Sequence, residues 1–538
     1  MLLTHQQVAA IEHSGNLVIT ACPGSGKTTV IKEKIRSITQ SLPSYRGVIA
    51  ITFTVKASRE LSERCKKDGH DIKRSFIGTI DSFCLHELIQ PFLGRIWGGK
   101  PSEFQIVKSL DDEQAGVLTH NYKSPTLADI YNDHGFRHLY DNKILWMPSF
   151  SALALLVLTE SLAAKRYIQS KFTHIFIDEY QDSSNPQHVL FIKLVELGLI
   201  GCSVGDTNQS IYGFRGSSPE YLLQLTEMTD KFETFTIDLN HRSHPSIINY
   251  ASRLLFPTCN LLTHDVDDFR VYRRLLNGNA TDAAREATSW LLDDFIRQYI
   301  HKNSDVAFLC KKEKTLKLIA DGLGVPYRLY IDTPLDDIST PTSDLFSDLL
   351  AYRFKSIQTA QEIIDKHFSS PKPIHTSKMA NLRGEIQSLR TSDDPREIIR
   401  LCCHFADKLS LEQLHDEHVA VENILNNKKM ISLYKPIDAN EVQLMTLHKS
   451  KGLEFKVVFH FDLEEWSFPH REYTGDWDDP PSYPDLVQET NLHYVGITRG
   501  EELCILIQTR LRQNAQGNFS QSRPSYFLQL PQLDGLYR

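Results

Sequence analysis

The sequence predicts an α/β protein built on parallel sheets with crossover helices, and three observations support this. An apolar run at residues 17–20 leads into a glycine-rich loop and then into a helical pattern at 30–38. Further apolar runs of strand length alternate with helical patterns in both halves of the chain. The chain has 538 residues, more than one hydrophobic core accommodates, so several domains are expected.

Composition narrows the class of protein. The chain is 41% hydrophobic and 23% charged, which is typical of a soluble globular protein. No apolar run reaches the ~20 residues that span a bilayer, and no secretory signal is found, so we expect a cytoplasmic protein with no membrane contact. The net charge of −8 argues against a general nucleic-acid-coating protein but allows a local DNA groove. Nine scattered cysteines without a CxxC pair indicate reduced thiols.

The glycine-rich loop stands between strand and helix, the position in which a P-loop binds nucleotide phosphates. Its residues are Ala21, Cys22, Pro23, Gly24, Ser25, Gly26, Lys27, Thr28 and Thr29. The glycines let backbone N–H groups point at phosphate oxygens, Lys27 is expected to reach the β- and γ-phosphates of ATP, and Thr28 to hold Mg²⁺. Ala21 replaces the usual first glycine. The alternative, a turn with a chance Lys-Thr, fits this setting poorly.

The elements around the P-loop continue the pattern. Thr4 is expected to cap a short first helix that carries Gln7, whose amide can pair with an adenine edge. Strands are predicted at 47–54 and 76–84. Residues 85–171 are helical in pattern and carry no site chemistry, so they are interpreted as an inserted helical subdomain.

A further apolar strand, residues 172–177, ends in two carboxylates, Asp178 and Glu179. In a P-loop protein this is a Walker B pattern. Asp178 is expected to bind Mg²⁺ through water, and Glu179 to polarise the water that attacks the γ-phosphate. Acidic pairs also occur in plain turns, but the preceding P-loop favours the catalytic interpretation.

The next strand and loop, residues 201–216, carry Gln209, Tyr212, Phe214 and Arg215. An amide and a guanidinium can sense a γ-phosphate, and aromatic faces can stack on bases. This loop is therefore expected to couple nucleotide state to nucleic-acid contact. The alternative is that both aromatic side chains pack at the edge of the core.

Taken in order, these motifs resemble those of the UvrD/Rep-type superfamily 1A DNA helicases. In the first half the resemblance rests on Gln7 and on residues 24–28, 51–54, 78–79, 178–182 and 204–212. In the second half, residues 239–243 resemble motif IV, 442–455 motif V, 492–500 motif VI and 524–528 the closing segment. The resemblance leaves out 85–171 and roughly 336–435.

The resemblance implies two RecA-like parallel-sheet motor domains, 1A and 2A, with helical insertions, 1B and 2B, and with ATP in the cleft between the lobes. The implied boundaries are 1–84 and 172–237 for 1A, 85–171 for 1B, 238–335 and 436–538 for 2A, and 336–435 for 2B. It also implies 3′-to-5′ movement on single-stranded DNA and action on 3′-tailed duplexes. No appended nuclease domain is expected, because the chain ends soon after the last motif.

The resemblance also implies roles for individual residues. The nucleotide contacts would be Gln7 and His241 at the adenine, Glu454 at the ribose, Gln209 at the γ-phosphate, and Arg242 and Arg499 as arginine fingers. The DNA track would be lined by Phe53, Thr54, Thr79, Tyr212, Phe214, Thr446 and His448.

Three departures from the family pattern carry expectations of their own. His241 stands where a tyrosine is usual, which gives less stacking area and a titratable ring. Residues 488–491 read Gln-Glu-Thr-Asn where glutamates and arginines are usual, and this is expected to loosen coupling between the lobes. The short 2B region suggests altered regulation or a protein partner.

Two functions stay open at the level of sequence. One is an ATP-dependent DNA helicase or translocase. The other is a nucleotide-sensing subunit that uses ATP and DNA binding to license a separate nuclease, since the size and motif set are similar to the helicase-like subunit of Gabija-type phage-defence systems. A dead motor is disfavoured because Lys27, Glu179, Arg242 and Arg499 are all present.

Overall fold

Two six-stranded sheets, parallel throughout, form the framework of this computed structural model. The structure describes residues 3–538 except 102–103, 214–215, 266, 292, 339, 358, 368–375, 410, 412, 414, 476–478 and 515. The predicted α/β class with parallel sheets is confirmed.

The strands follow one another along the whole chain. They are β1 (Leu17–Ala21), β2 (Gly47–Ile51), β3 (Phe76–Gly78), β4 (Gln105–Val107), β5 (Ile144–Trp146), β6 (Phe172–Ile177), β7 (Ile200–Gly205), β8 (Glu233–Ile237), β9 (Val271–Leu276), β10 (Val306–Cys310), β11 (Tyr327–Leu329), β12 (Val442–Thr446), β13 (Phe455–His460), β14 (Gly500–Thr509), β15 (Leu511–Gln513) and β16 (Phe519–Gln521).

Helices connect the strands and make up most of two insertions. They are α1 (His5–Glu12), α2 (Lys27–Ser41), α3 (Val55–Lys66), α4 (Ile80–Phe83), α5 (Gly94–Trp97), α6 (Asp112–Gly116), α7 (Leu127–Asn132), α8 (His134–Asp141), α9 (Phe150–Glu160), α10 (Leu162–Lys171), α11 (Asn185–Glu196), α12 (Glu220–Glu227), α13 (Pro245–Leu255), α14 (Ala280–Trp290), α15 (Asp294–Arg297), α16 (Glu313–Gly322), α17 (Pro334–Ile338), α18 (Pro341–Arg353), α19 (Ala360–His367), α20 (Thr376–Ser388), α21 (Pro395–Lys408), α22 (His415–Leu425), α23 (Lys428–Leu433) and α24 (Leu486–Ile497). A π-helix, Cys84–Leu93, precedes α5.

The first sheet has the strand order β3-β2-β6-β7-β1-β8. Its strands come from two separate stretches of the chain, because the segment between β3 and β6 leaves the sheet and returns. β1 and β2 are buried on both faces, as expected for central strands that carry helices on each side. We call the body around this sheet, residues 3–83 and 172–237, the first lobe.

The segment that leaves the first sheet, residues 84–171, is the first insertion. It is helical apart from the short parallel pair β4 and β5. Its central helix α9 is almost completely buried, and its side chains join those of the first sheet in one continuous hydrophobic cluster. The insertion therefore extends the first lobe.

The second sheet has the strand order β11-β12-β10-β13-β14-β9 and, like the first, is interrupted by an excursion of the chain. We call the body around it, residues 238–333 and 434–538, the second lobe, and the excursion, residues 334–433, the second insertion. Helices α17–α23 of the second insertion enclose a hydrophobic cluster of their own. The cleft between the lobes receives the carboxyl ends of strands from both sheets, where α/β proteins bind ligands.

In the described part of the chain, no single helix is both long and apolar enough to cross a bilayer. The helices at Met147–Glu160 and Leu162–Lys171 are long and apolar enough only when they are taken together, and the pair is bent by 102°.

Candidate nucleotide site and DNA track

The predicted P-loop connects β1 to α2, and its shape depends on two glycines. Gly24 and Gly26 have φ angles of +69° and +80°, a region that other residues rarely adopt. Ser25 is completely buried, and its hydroxyl donates to the Cys22 carbonyl at 2.7 Å, which holds the loop in a tight curl. Because α2 begins directly at Lys27, the N–H groups of its first turn face the loop, an arrangement suited to an anion.

Lys27 and Gln7 both contact the P-loop itself. The Lys27 ammonium donates to the carbonyls of Ala21 and Cys22, each at 3.3 Å. Gln7 belongs to α1, which Thr4 caps as expected, and it is buried. Its amide nitrogen donates to the Ser25 carbonyl at 2.9 Å, and its amide oxygen accepts from the Thr4 N–H at 2.9 Å. Gln7 thus joins the first helix to the P-loop, while its role as adenine reader stays a prediction.

The Walker B carboxylates lie at the carboxyl end of β6. Glu179 has a φ of +53°, the left-handed region that is strained for a residue with a side chain and that recurs at active sites. Its carboxylate accepts a hydrogen bond from Gln181, whose own amide oxygen accepts from the Asp206 N–H at 3.0 Å. Gln181 therefore fixes Glu179 relative to the loop that follows β7.

The two carboxylates have opposite pKa shifts. Burial, together with the charge of Glu179, raises the pKa of Asp178 to about 7. Burial alone would also raise the pKa of Glu179, but Lys451 and Lys27 outweigh that effect and hold the pKa below its usual value. Glu179 is thus poised to stay ionised and accept a proton, as a general base requires.

Lys451 of the second lobe is a residue that the sequence argument did not single out. Its ammonium pairs with Asp182, donates to the Gln209 carbonyl at 2.6 Å and lies 3.8 Å from a Glu179 carboxylate oxygen. It also sits over the Tyr212 ring at 5.1 Å. The sequence held one indication of its importance, because Lys451 lies within the 442–455 segment that resembles motif V.

Gln209 and Arg499 meet across the cleft. The guanidinium of Arg499, at the end of α24, donates to the Gln209 amide oxygen at 3.3 Å. It also donates to the carbonyls of Val495 and Leu453 at 3.0 and 3.1 Å. Arg499 is only 2% exposed, and its burial lowers its pKa to about 9. A buried guanidinium held by neutral oxygens is suited to receive an anion.

Arg242 lies against Gly24 of the P-loop and pairs with Glu454. Its Nε donates to the Glu454 carboxylate at 2.8 Å, so these two predicted nucleotide residues contact each other in this state. The backbone N–H of His241 donates to the Gly24 carbonyl at 3.0 Å. A Cβ at Gly24 would lie 2.6 Å from both the Arg242 Cβ and the Asn240 Oδ1, so glycine permits this close approach of the lobes.

Among the predicted DNA residues, Tyr212 contacts both Phe53 and His448, whereas three threonines lie at the ends of helices or strands. Phe53 and Tyr212 stack on each other with ring centroids 4.8 Å apart, and the Tyr212 hydroxyl donates to the His448 carbonyl at 3.4 Å. Thr54 and Thr79 are N-cap residues of α3 and α4, while Thr446 ends β12. The predicted residue Phe214 and its neighbour Arg215 lie outside the described residues.

The oxygen donors near the P-loop fit Mg²⁺. Thr28 offers a hydroxyl, and Asp178 offers a buried carboxylate whose pKa is raised by burial and by the charge of Glu179. Within the described ranges, no three His, Cys, Asp or Glu side chains form a self-sufficient metal cluster. Mg²⁺ takes one or two protein groups and completes its shell with water and substrate phosphates, so a hydroxyl and a carboxylate are enough to hold it.

The stretch at residues 488–491 makes contacts that bear on how the lobes are joined. Gln488 and Asn491, at the stretch that was expected to loosen contact between the lobes, donate to carbonyls of the first lobe at 3.1 and 3.2 Å. Glu489 forms an ion pair with Lys311 of the second lobe at 2.6 Å. Neutral amides thus join the lobes here by donating to backbone carbonyls without the cost of burying a charge, and looser coupling than in the family stays a prediction.

Comparison with known proteins agrees with this geometry. Residues 3–129 and 102–230 match the UvrD/REP helicase N-terminal domain, and residues 282–510 match the UvrD-like helicase C-terminal domain. The chain therefore belongs to the UvrD-like helicases, a class of ATP-dependent DNA helicases, as the sequence motifs indicated.

Individual relatives cover nearly the whole chain. The Gabija protein GajB of Bacillus cereus is 27% identical over 92% of this chain and 94% of its own length. The ATP-dependent DNA helicase PcrA of Staphylococcus aureus is 23% identical over 98% of this chain and 85% of its own length. PcrA of Bacillus subtilis is 23% identical, with coverages of 94% and 82%.

Proposed function

We propose that this protein is an ATP-driven motor that moves 3′-to-5′ on single-stranded DNA and unwinds 3′-tailed duplexes. The observation that carries the proposal is the hydrogen bond between Arg499 of the second lobe and Gln209 of the first lobe. It joins the proposed arginine finger to the proposed γ-phosphate sensor across a cleft. A site divided in this way is complete only when the lobes are together, so its chemistry is tied to their movement.

The two lobes, with the bounds given above, would act as motor domains 1A and 2A, and the two insertions as 1B and 2B. Support comes from the strand composition of the sheets, since each sheet draws on two stretches of chain separated by a helical excursion. The second insertion has its own hydrophobic cluster, as an independently moving domain requires.

In the proposed reaction the P-loop amides and Lys27 bind the phosphates, and Glu179 accepts the proton of the attacking water. Arg242 and Arg499 neutralise charge that develops on the γ-phosphate, a contribution typically worth ~10³–10⁵ in rate. Mg²⁺, held by Thr28 and Asp178, would supply further neutralisation of the phosphates when bound. Arg242 would have to exchange its Glu454 partner for phosphate, which would free Glu454 for the ribose.

The proposed DNA track runs past the stacked pair Phe53 and Tyr212. Aromatic faces bind successive bases at about 1–3 kcal/mol each without reading their sequence. Tyr212 lies three residues after Gln209, so a change in base stacking and a change at the γ-phosphate act on one short loop. Direction of movement rests on the resemblance and on the similarity to PcrA helicases.

Strand-displacement assays with the purified chain test this proposal. We expect ATP-dependent unwinding of a duplex with a 3′ single-stranded tail and little unwinding of the same duplex with a 5′ tail. Glu179→Gln serves as the control for hydrolysis. Preference for the 5′-tailed duplex would refute the proposed direction.

A second candidate is an ATP- and DNA-sensing subunit that activates a partner nuclease in phage defence. The similarity to Gabija protein GajB, over almost the full length of both chains, favours it. This candidate predicts DNA-stimulated ATP hydrolysis by the isolated chain without strand displacement from either tailed duplex. Efficient unwinding by the isolated chain would exclude it in favour of the motor.

A further inference from the structure

Two amide side chains at the start of α24 hold one loop of the first lobe. Gln488 donates to the Ile211 carbonyl at 3.1 Å, and Asn491 donates to the Ser210 carbonyl at 3.2 Å. Residues three apart lie on one face of a helix, so the two amides act side by side on consecutive carbonyls. Ser210, Ile211 and Asn491 are all at least nine-tenths buried, which shields these hydrogen bonds from water.

The loop that they hold contacts the second lobe at four consecutive residues. The Gln209 side chain accepts from Arg499, the next two carbonyls accept from the α24 amides, and the Tyr212 hydroxyl donates to the His448 carbonyl. The loop thus begins at the proposed γ-phosphate sensor and ends at the proposed base-stacking aromatic. The amide contacts lie in the middle, between nucleotide and DNA.

Helix α24 is itself fixed to the second lobe. Glu489, on another face of the helix, pairs with Lys311 at the end of β10 at 2.6 Å, and Arg499 follows the last turn of α24. Movement of the 210–211 carbonyls relative to the second lobe must therefore stretch the amide hydrogen bonds or shift α24 together with Arg499. Both outcomes link the loop to the arginine finger.

We propose that Gln488 and Asn491 are positioning residues that couple DNA engagement at Tyr212 to the placement of Arg499. This inference rests on the proposed function and adds to it the two side chains that transmit the signal. They touch neither reacting atoms nor bases; they set the distance between the sensor loop and the helix that carries the finger. Their loss should uncouple DNA from hydrolysis and leave the nucleotide pocket intact.

Isosteric substitution gives the sharpest test. Gln488→Glu and Asn491→Asp keep side-chain shape but replace the amide donor with an oxygen that faces a carbonyl. We expect DNA stimulation of ATP hydrolysis to fall about fivefold in each variant and about 25-fold in the pair, since each lost hydrogen bond removes roughly a factor of five. The basal rate and the KM for ATP without DNA should change less than about twofold. Val487→Ala, on the same turn and 78% exposed, is the matched control.

A third substitution perturbs the contact without altering either amide. A Cβ at Gly213 would lie 2.9 Å from the Gln488 Oε1, and among the described residues outside its chain neighbours only Gln488 comes within 4 Å of it, so Gly213→Ala should displace mainly Gln488. We expect Gly213→Ala to lower DNA stimulation as much as Gln488→Glu does. Combined with Gln488→Glu it should cause no further loss, because both substitutions act on one contact. This variant keeps the inference testable if an α24 substitution impairs folding.

The outcomes separate the inference from the function on which it rests. Absence of DNA stimulation in the unsubstituted chain would refute the proposed motor. Normal DNA stimulation in all three variants would refute the coupling role. Equal losses of basal and stimulated rates, or a falling melting temperature that accounts for both, would show that these residues are merely structural and would overturn the proposal.

Discussion

Lys451 brings one positive charge of the second lobe against Glu179, Asp182 and the Gln209 carbonyl of the first lobe. Burial raises the pKa of Asp182 to about 6, so this carboxyl depends on Lys451 to remain ionised at neutral pH. The same ammonium lowers the pKa of Glu179. One side chain therefore tunes two carboxylates that sequence alone places at the end of a strand.

Replacing Lys451 by alanine should alter the pH dependence of hydrolysis. Without the ammonium the pKa of Glu179 rises, so a larger part of the base is protonated near neutral pH. We expect the DNA-stimulated kcat at pH 7 to fall about tenfold or more and the acid limb of the pH–rate profile to move to higher pH. Lys449→Ala, which removes a surface pair with Asp332, is the control. A profile that keeps its acid limb in place would count against this role.

At the residue scale, the sequence could predict the place of a side chain in the fold where the signal is local, while the catalytic roles stay predictions. The P-loop, Asp178 and Glu179 follow strands directly, so their positions are fixed by a few consecutive residues. Lys451 was missed because its partners lie more than 200 positions away, at separations of 269 and 242 residues. Only the docking of the two lobes brings them together.

At the scale of elements, the P-loop of the first lobe contacts a loop of the second lobe, residues 240–242. The 240–242 segment approaches Gly24 so closely that a Cβ there would clash with two of its side chains. Gly24 also has a positive φ, so a larger residue would be strained as well as crowded.

Gly24→Ala should therefore weaken ATP binding more than backbone strain alone explains. We expect the KM for ATP to rise about tenfold or more, because the added methyl pushes the second lobe away from the P-loop. Gly69→Ala provides the comparison, since Gly69 has a φ of +75° with nothing within 4 Å of its added Cβ. Equal effects of the two substitutions on KM would argue against a close contact between the lobes.

The second insertion is held by ionic contacts around Asp348 of α18. Lys366 and His367 of α19 pair with this carboxylate, with His367 at 2.7 Å. Arg59 of the first lobe lies 3.9 Å from it. Although burial would raise the pKa of Asp348, the hydrogen bond from His367 and the charge of Lys366 lower it to about 2.

Asp348→Asn should destabilise the protein in a pH-dependent way. Because the folded-state pKa of Asp348 is depressed, its contribution is present above the unfolded value of about 4 and is lost as the pH falls towards 2. We expect a free energy of unfolding about 1–2 kcal/mol lower at pH 7, with the difference from the unsubstituted protein shrinking below pH 4. Urea titrations at both pH values measure it, with Asp393→Asn, at an almost fully exposed carboxylate, as control. A difference that does not change with pH would contradict the ionic explanation.

At the scale of elements, the sequence predicted the parallel α/β class correctly but did not predict how α24 contacts the first lobe. Glutamine and asparagine at 488 and 491 lack the charge that the family pattern has there, and charge was taken as the measure of coupling. Their hydrogen bonds to Ile211 and Ser210 are directed at backbone carbonyls, which sequence patterns do not display. Which carbonyl faces which helix depends on the tertiary arrangement.

On the scale of the whole molecule, strand patterns alternate with helical patterns along the sequence, and this alternation predicts sheets that are built from separate groups of strands. The parallel class and the family could thus be predicted from the chain. The closed arrangement of the lobes could not, because it depends on contacts across the cleft, such as the hydrogen bond from Arg499 to Gln209. Under the proposed function, we expect hydrolysis to be sensitive to anything that moves one lobe against the other.

The central claim is that ATP is hydrolysed in a cleft whose closure responds to DNA. The most direct measurement is steady-state ATP hydrolysis by the purified chain with and without single-stranded DNA, alongside Glu179→Gln. We predict at least tenfold stimulation by DNA and at least about 100-fold loss in Glu179→Gln, the range expected for removal of a general base. Negligible hydrolysis in the presence of DNA, or undiminished hydrolysis by Glu179→Gln, would contradict the claim.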